Sequence, residues 1–239
     1  MNSTNNISAR AAFDNARKMF FTSFRDKFSS DAECAAWVSN LKLSQSEIRC
    51  EVQLTTGGNI FTLGLTTQQN STGATGVFNT EQRLNMQDSL CVNEYGIFVA
   101  KPSSSTDGSY KLQTYGNVNV FTTANAAAAI DGNLYSNGQF RLTCNNDVLI
   151  PSRGILNHRY VPQTQLSGVT ASTSVPLYQD QQRGAEDGFI TTEPNVVLVG
   201  SKNYQPQIVL PAALAAVETN ERLIVIFRGI LAQNSTVVS

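Results

Sequence analysis

From Ser46 onward, apolar and polar residues alternate with a period of two, which is the pattern of a half-buried β-strand. In the segment SEIRCEVQL the apolar positions are Ile48, Cys50, Val52 and Leu54. After Gly57-Gly58 the alternation resumes at Phe61, Leu63 and Leu65. Two alternating runs joined by a glycine pair predict a β-hairpin at this point of the chain.

Short runs of strand-forming residues continue to the C-terminus, and Gly, Asn, Asp, Ser or Pro separates nearly all of them. These runs are LCV, GIFVA, YKLQTY, VNVFTT, QFRLTC, DVLIP, SVPLY, GFITT, NVVLVG, PQIVLP and RLIVIFRGIL. Many short strands with turn residues between them are typical of a β-sandwich or β-barrel. The sequence therefore predicts an all-β protein.

The first 45 residues have a different pattern and predict a short α-helical N-terminal arm, residues 1–45. Spacings of three and four residues place a stripe of apolar side chains on one helix face: Phe13, Ala16, Phe20, Phe24 and Phe28. Ser30 and Glu33 then have the spacing of a capping box, which predicts a second short helix over DAECAAWVSNL. Trp37 lies on this second helix and is expected to anchor its packing.

The β-region resembles itself when it is shifted by 88 residues. VNVFTTANAAAAIDG, from Val118, then aligns with PQIVLPAALAAVETN, from Pro206, and each reads as a strand, an Ala-rich helical turn and a further turn. Leu54 aligns with Leu142 at the same offset. GIFVAKP aligns with GFITTEP when the offset is increased by four residues. Three blocks in one order indicate an internal duplication. We therefore predict two β-units, residues 46–135 and 136–239.

Charged residues make up only 15% of the chain, whereas 82 of its 239 residues are Asn, Thr, Ser or Gln. Ordinary soluble proteins have about 25% charged residues. Surfaces that bind other proteins are depleted in Lys, Glu and Asp at their centres. The composition suits a subunit with much of its surface in assembly contacts, and it suits a plain hydrophilic β-protein equally well.

The formal net charge of the chain is −1, which disfavours a strong general attraction to nucleic acid or acidic lipid. The first 28 residues nevertheless carry five basic and two acidic side chains, a balance of +3. The N-terminal sequence MNSTNNISAR has no apolar core of a secretory signal, so we expect cytoplasmic synthesis and reduced thiols. Buried free thiols are therefore expected at Cys34, Cys50, Cys91 and Cys144.

No motif predicts catalysis. His158 is the only histidine, and we expect it in a strand edge or loop as a polar surface or hydrogen-bonding residue. A zinc site rich in histidine is excluded by this count, and the cysteines form no CxxC pair. We therefore predict that the protein is not an enzyme and that it has no catalytic residues, cofactor or bound metal.

Two tandem β-units, each with an Ala-rich turn before its final strand, resemble the double jelly-roll major capsid proteins of icosahedral DNA viruses. That lineage includes adenovirus and several membrane-containing bacteriophages. The resemblance covers residues 46–239 and rests on architecture, because no signature motif is present. It implies an all-β fold of two tandem jelly-roll barrels preceded by the helical arm.

The resemblance also implies a function. The chain would be a virion structural protein, the major capsid subunit, which self-assembles as pseudo-hexameric homotrimers into an icosahedral shell. Its partners would be further copies of itself, in the trimer and in neighbouring capsomers, and other virion proteins. It would be made in the host cytoplasm and located in the virion. A variant within this class is a single large jelly roll that serves as a vertex or decoration protein.

The arm is the candidate functional site, as an assembly or inner-surface element. Its residues are Arg10, Phe13, Arg17, Lys18, Phe20, Phe24 and Arg25. In one interpretation the phenylalanine stripe packs against the protein's own barrel. In the other, the arm lies at the inner shell surface, where its basic residues meet an internal lipid membrane or the genome.

Two other functions remain open at this point. A tandem β-sandwich that binds glycans or surfaces would need exposed aromatic side chains, and the candidates are Tyr95, Tyr110, Tyr115 and Tyr135. An enzyme on a β-scaffold is the third alternative, although no motif favours it.

Overall fold

The computed structural model describes side chains from residue 10 onward. The described ranges are residues 3–64, 84–103, 110–123, 125–145, 147–161 and 188–235. The predicted run SVPLY and the predicted core position Leu65 lie outside the described residues.

The N-terminal arm is helical, as predicted. It consists of α1 (Ser3–Phe24) and α2 (Asp31–Asn40), with a short 3-10 turn between them. Ser30 caps α2, since its hydroxyl accepts a hydrogen bond from the Glu33 amide at 3.2 Å. The Glu33 carboxylate accepts in return from the Ser29 amide at 3.1 Å. The arm ends at residue 41, because the first strand begins at Lys42, a few residues before the predicted boundary.

The described remainder is predominantly β-structure, which agrees with the predicted class. Its strands are β1 (Lys42–Gln53), β2 (Ile60–Thr62), β3 (Ser89–Ala100), β4 (Gln139–Cys144), β5 (Asp147–Gly154), β6 (Phe189–Val199), β7 (Tyr204–Val209) and β8 (Arg222–Gln233). A short helix α3 (Ala126–Ala129) continues as a π-helical turn, Ile130–Tyr135, before β4. A 3-10 turn, Leu156–His158, follows β5.

The described strands form two antiparallel four-stranded sheets. The order is β1-β8-β3-β6 in the first sheet and β2-β7-β4-β5 in the second. Successive strands of the chain are therefore divided between two facing layers. An eight-stranded sandwich with this order is the topology of a single jelly roll built from two Greek keys.

This strand order corrects the predicted division into tandem barrels at 46–135 and 136–239. In the described residues β1 pairs with β8 along its whole length, and β8 also pairs with β3. Each sheet thus takes strands from both predicted units. Leu54 follows β1 in the first sheet and Leu142 lies in β4 of the second, so the two leucines are not equivalent.

The apparent repeat arose from composition. The Ala-rich segment 126–129 is helical, whereas the segment 211–216 forms no helix, and the segment 118–120 is a turn while residues 206–209 belong to β7. The predicted hairpin at Gly57-Gly58 is corrected as well. A turn is present, but β1 pairs with β8 and β2 with β7, so the chain crosses here from one sheet to the other. Alternation alone cannot distinguish these outcomes, because both bury the same apolar positions.

The main core lies between the two sheets and has aromatic rings at its centre. The Tyr95 and Phe140 ring centroids are 4.9 Å apart, and Phe227 lies 6.2 Å from Phe140. All three side chains are fully buried. Offset contacts of this kind stabilise beyond the area they bury. The sandwich is therefore joined at its centre by rings from both sheets.

Strands β3 and β8 are buried on both faces, which explains why RLIVIFRGIL is a nearly continuous apolar run. One face meets the inter-sheet core, and the other is covered by the arm and by the segment near Tyr110 and Leu112. Strands of this kind lose the period-two pattern because neither face meets water.

We expect Phe140→Ala to lower the free energy of unfolding by about 3–5 kcal/mol, because it leaves a cavity between Tyr95 and Phe227. Urea denaturation followed by far-ultraviolet circular dichroism would measure this loss. Since the described sheets share one core, the native chain should unfold in a single transition. The exposed neighbour Gln139 supplies the control: Gln139→Ala should change stability by less than about 0.5 kcal/mol. Two separate transitions would contradict a single sandwich.

Candidate assembly surfaces

The phenylalanine stripe of α1 packs against the first sheet. Ala16, Phe20 and Phe24 are buried, and they share an apolar cluster with strand residues Cys91, Ile230 and Ala232. From α2, Cys34 and Val38 join the same cluster. Trp37 lies against two rings of the arm, with centroid distances of 5.1 Å to Phe24 and 5.3 Å to Phe28.

The candidate arm residues therefore fall into two groups. Phe20 and Phe24 are buried in the fold, and Phe13 is half-buried against the same cluster. This burial agrees with the first of the two interpretations of the stripe. The basic residues Arg10, Arg17 and Lys18 are exposed. Arg25 forms its contacts within the arm: it pairs with Asp31 and donates a hydrogen bond to the Phe28 carbonyl oxygen at 3.0 Å.

A groove of about 580 Å³ runs between α1 and α2. Phe21, Ala35 and Val38 give it an apolar lining, and Arg17 and Lys18 also line it. Arg17 has Asp14 at 3.9 Å, a separation at which an exposed ion pair contributes little. The arm thus has positive charge at its surface, while Phe20 and Phe24 are buried against the sheet.

The outer face of the second sheet carries few ionisable side chains on its described strands, and we call it the neutral sheet face. Its outward positions are Ile60, Thr62, Gln139, Arg141, Thr143, Val148, Gln205, Gln207 and Val209. Arg141 is the only ionisable residue among these nine. Gln207 donates to the Thr62 hydroxyl at 3.2 Å, and the exposed fractions of Ile60 and Val148 are 57% and 48%.

The outer face of the first sheet is charged, and its charges bind one another. The Glu51 carboxylate accepts from the Tyr110 hydroxyl at 2.6 Å and pairs with Arg49 at 2.6 Å and Arg222 at 3.1 Å. Arg49 and Arg222 also lie over the Tyr110 ring. Burial and the bond to Glu51 raise the pKa of Tyr110 to about 12. This cluster holds the segment around Tyr110 against the outer face of the first sheet.

His158 is a hydrogen-bonding residue in a turn, one of the two roles expected from the sequence, but it lies in the interior and not at the surface. It is fully buried in the turn after β5, where its Nδ1 lies 2.9 Å from the Gly188 carbonyl oxygen. Its ring is 4.7 Å from that of Tyr95, and Nε2 has no hydrogen-bond partner among the described residues. Burial lowers the pKa of His158 to about 4, so the ring is neutral at physiological pH. Such a ring packs in the core.

Two buried carboxylates, Glu218 and Glu221, lie in the turn before β8 and were not among the predicted sites. Glu218 pairs with Lys101 and accepts from the Thr123 amide at 2.6 Å. Burial alone would raise the pKa of Glu218, but these two partners hold it below its usual value. Glu221 accepts only the Glu218 amide, at 2.9 Å, among the described residues. Burial raises the pKa of Glu221 to about 7.

The four cysteines are free and buried, as predicted. Burial raises the pKa of the Cys91 thiol to about 11 and also raises that of Cys50, which keeps both thiols protonated and unreactive. Within the described ranges, no cluster of three His, Cys, Asp or Glu side chains is arranged to hold a metal ion. Among the helices of the same ranges, none is long and apolar enough to cross a membrane.

Comparison of the sequence with known protein families and with curated proteins finds no match to either.

The neutral sheet face has a partial signal in the sequence. Outward Gln139, Arg141 and Thr143 alternate with the buried residues of QFRLTC, so one strand of the face could be read. Its neighbours β2 and β7 come from segments that are distant along the chain. No spacing rule shows that these three strands build one surface.

We expect Phe20→Ala to lower the free energy of unfolding by about 3–5 kcal/mol, because Phe20 is fully buried between the arm and the sheet. Urea denaturation monitored by Trp37 fluorescence would measure this loss. Arg17→Ala, three residues away on the exposed side, is the matched control and should change stability by less than about 0.5 kcal/mol. Equal stability of the Phe20→Ala and native proteins would show that the stripe is not part of the fold.

We expect the contribution of Glu221 to stability to fall by roughly 2–3 kcal/mol as the pH rises from 4.5 to 8. The pKa of Glu221 is about 7 in the folded chain, whereas an unperturbed glutamate titrates near 4.5. The folded state therefore holds a proton that the unfolded chain releases, and this advantage is lost as the pH rises through 7. The lowered pKa of His158 acts in the opposite direction over the same pH range, so the contribution of Glu221 is measured as the stability of the native protein minus that of Glu221→Gln. This difference, from urea midpoints, should favour the native protein by roughly 2–3 kcal/mol more at pH 5 than at pH 8. An equal difference at both pH values would contradict the assignment to Glu221.

Proposed function

We propose that the chain is a virion structural protein, a capsid subunit that self-assembles through uncharged surfaces. The observation that carries the proposal is the neutral sheet face, on which Arg141 is the only ionisable residue among nine outward positions. Burying such a surface against a second protein does not strip water from many charges, and that desolvation is what makes buried ion pairs costly. An assembly contact is the use that this chemistry suits best.

The scaffold supports the same proposal. Among the described residues, helices cover one sheet of the sandwich, and no helix or strand covers the outer face of the other. The first face belongs to the fold, and the second is the one that we propose for partners. In the described part of the chain, the buried carboxylates and the histidine are held by structural partners or by packing, and no nucleophile–base pair is present. These contacts favour a structural role over catalysis.

The single sandwich narrows the kind of shell that we propose. A pseudo-hexameric homotrimer requires two barrels in each subunit, and the described strands supply one. We therefore propose a subunit that contributes one sandwich to a capsomer, either as the shell protein itself or as a vertex or decoration protein. Its partners would be further copies of itself and other virion proteins. The exposed Arg10, Arg17 and Lys18 would be available for an internal membrane or the genome.

Three of the four candidate tyrosines give the glycan-binding alternative no support. Tyr95 and Tyr135 are fully buried, and the Tyr135 hydroxyl donates to the Ile97 carbonyl oxygen at 3.1 Å. Tyr110 is bound to Glu51. A sugar-binding platform needs aromatic faces that a ring of the ligand can reach, and these three rings do not offer one.

We expect the purified protein to form symmetric oligomers or shells in negative-stain electron microscopy and mass photometry. The double variant Gln205→Glu with Gln207→Glu should need at least about tenfold more protein to assemble, because like charges would face each other across a contact between copies. Ser201→Glu adds one negative charge at an exposed turn position outside the nine positions of this face and should assemble normally.

Salt is a second readout of the same contact. Assembly should change little between low and moderate ionic strength, since screening acts chiefly on exposed charges. A native protein that stays monomeric at every concentration would overturn the proposal. Assembly of the double variant at native concentrations would remove the neutral sheet face from it.

A further inference from the structure

The two sheets have four described edge strands, and these edges differ sharply. Strand β2 has three residues, β5 contains Pro151 and shifts register against β4, and β6 contains Pro194 and meets a register shift in β3. Short strands, prolines and bulges are the usual devices that prevent an edge from pairing with another chain. Strand β1 has twelve residues, contains neither Pro nor Gly, and keeps one unbroken register against β8.

The other edge of β1 pairs with no strand in the described ranges. One hydrogen bond shows which of its backbone groups point there. The Leu54 amide, which continues β1, donates to the Glu221 carbonyl oxygen at 2.9 Å on the β8 side. Backbone groups of successive residues in a strand point to opposite edges. The odd-numbered residues of β1, from Leu43 to Gln53, therefore direct their N–H and C=O groups to the free edge.

We propose that β1 of one subunit pairs antiparallel with β1 of a second copy around a two-fold axis at Ile48, which joins the two first sheets across the contact. This pairing names one contact of the assembly proposed above and rests on that proposal. A two-fold contact of this kind is self-complementary, because the same strand supplies both sides. It is a case of strand addition at an open sheet edge.

The register follows from charge. Two conditions restrict the position of the axis: odd-numbered residues must lie opposite one another, and the two strands must overlap along nearly their whole length. Only an axis at Glu47 or at Ile48 meets both conditions. An axis at Glu47 would place two glutamates directly opposite each other, which is unfavourable in a sheet. An axis at Ile48 places Glu47 opposite Arg49 of the partner subunit, and the symmetry repeats this pair. Opposite charges in directly opposed positions stabilise a strand pair.

Glu47 has room for a second cation. Its side chain is 56% exposed, and its contact with Arg228 in the same chain, at 3.2 Å, occupies one carboxylate oxygen. Six odd-numbered positions in each strand would exchange about twelve backbone hydrogen bonds, two for each opposed pair that bonds. Ile48 and Cys50 face the core on the other side of the strand and are unaffected.

The decisive variant is Gln45→Pro. Gln45 is exposed, and its N–H points to the free edge, so proline removes a donor from the proposed contact without removing a bond to β8. Gln45→Ala keeps the N–H and is the matched control. We expect at least about tenfold weaker self-association for Gln45→Pro in sedimentation velocity, near-native association for Gln45→Ala, and the same urea midpoint for both.

Glu47→Arg tests the register of the proposed pairing. Because it leaves the backbone hydrogen bonds intact, it also tests the pairing if the proline variant fails to fold. It would place two arginines opposite each other, and we expect self-association to weaken by about tenfold. Native-like assembly of both folded variants would overturn the β1 pairing while self-assembly itself stood. A native protein that remains monomeric would overturn both proposals. Weakening by Gln45→Pro alone would overturn the axis at Ile48.

Discussion

The two central strands of the first sheet are buried on both faces, and the rest of the structure depends on this constraint. Strands β3 and β8 contact the inter-sheet core on one side and the arm or the Tyr110 segment on the other. Such strands need a cover on each side, since bare apolar sheet in water is costly at about 25 cal/mol per Å². The helices α1 and α2 supply that cover over Cys91, Ile230 and Ala232. The arm is thus an integral layer of the fold, in which Phe20 and Phe24 are buried.

In the described part of the chain only the first sheet is covered by helices, and the distribution of charge differs between the two sheets. On the first sheet the charges at Arg49, Glu51 and Arg222 are bound to one another around Tyr110. The outer face of the second sheet presents amides, hydroxyls, a few apolar side chains and the single charge of Arg141. Several of the few charged residues of the chain therefore form ion pairs that stabilise its own fold. We propose that the neutral sheet face and the open edge of β1 form contacts between identical subunits.

Buried polar groups hold the connections between strands. His158 is bonded to the Gly188 carbonyl oxygen just before β6, and Glu218 bonds Lys101 and the Thr123 amide in front of β8. Asp131 accepts from the Gly116 amide at 2.8 Å and pairs with Arg159 at 3.0 Å. Each of these side chains satisfies groups that a crossing between sheets would otherwise leave unpaired, which is costly in an interior. His158, the only histidine, is therefore accounted for by a contact that stabilises the fold.

The sequence by itself determined the class of structure, because local periodicity is written in neighbouring residues. The helical arm, the Ser30 cap and most strand positions follow from spacings of two, three and four residues, and the burial of the cysteines follows from the apolar character of a free thiol. Two runs, YKLQTY and VNVFTT, formed no strand among the described residues, and neighbouring runs merged into β3 and β6. Only the tertiary structure decided which strands pair. The partner of β1 is β8, almost two hundred residues away, and alternation that buries Leu54 and Phe61 is the same in a hairpin and in a crossing between sheets. The neutral sheet face and the buried pair Glu218–Glu221 depend on that pairing, so no local pattern could locate them.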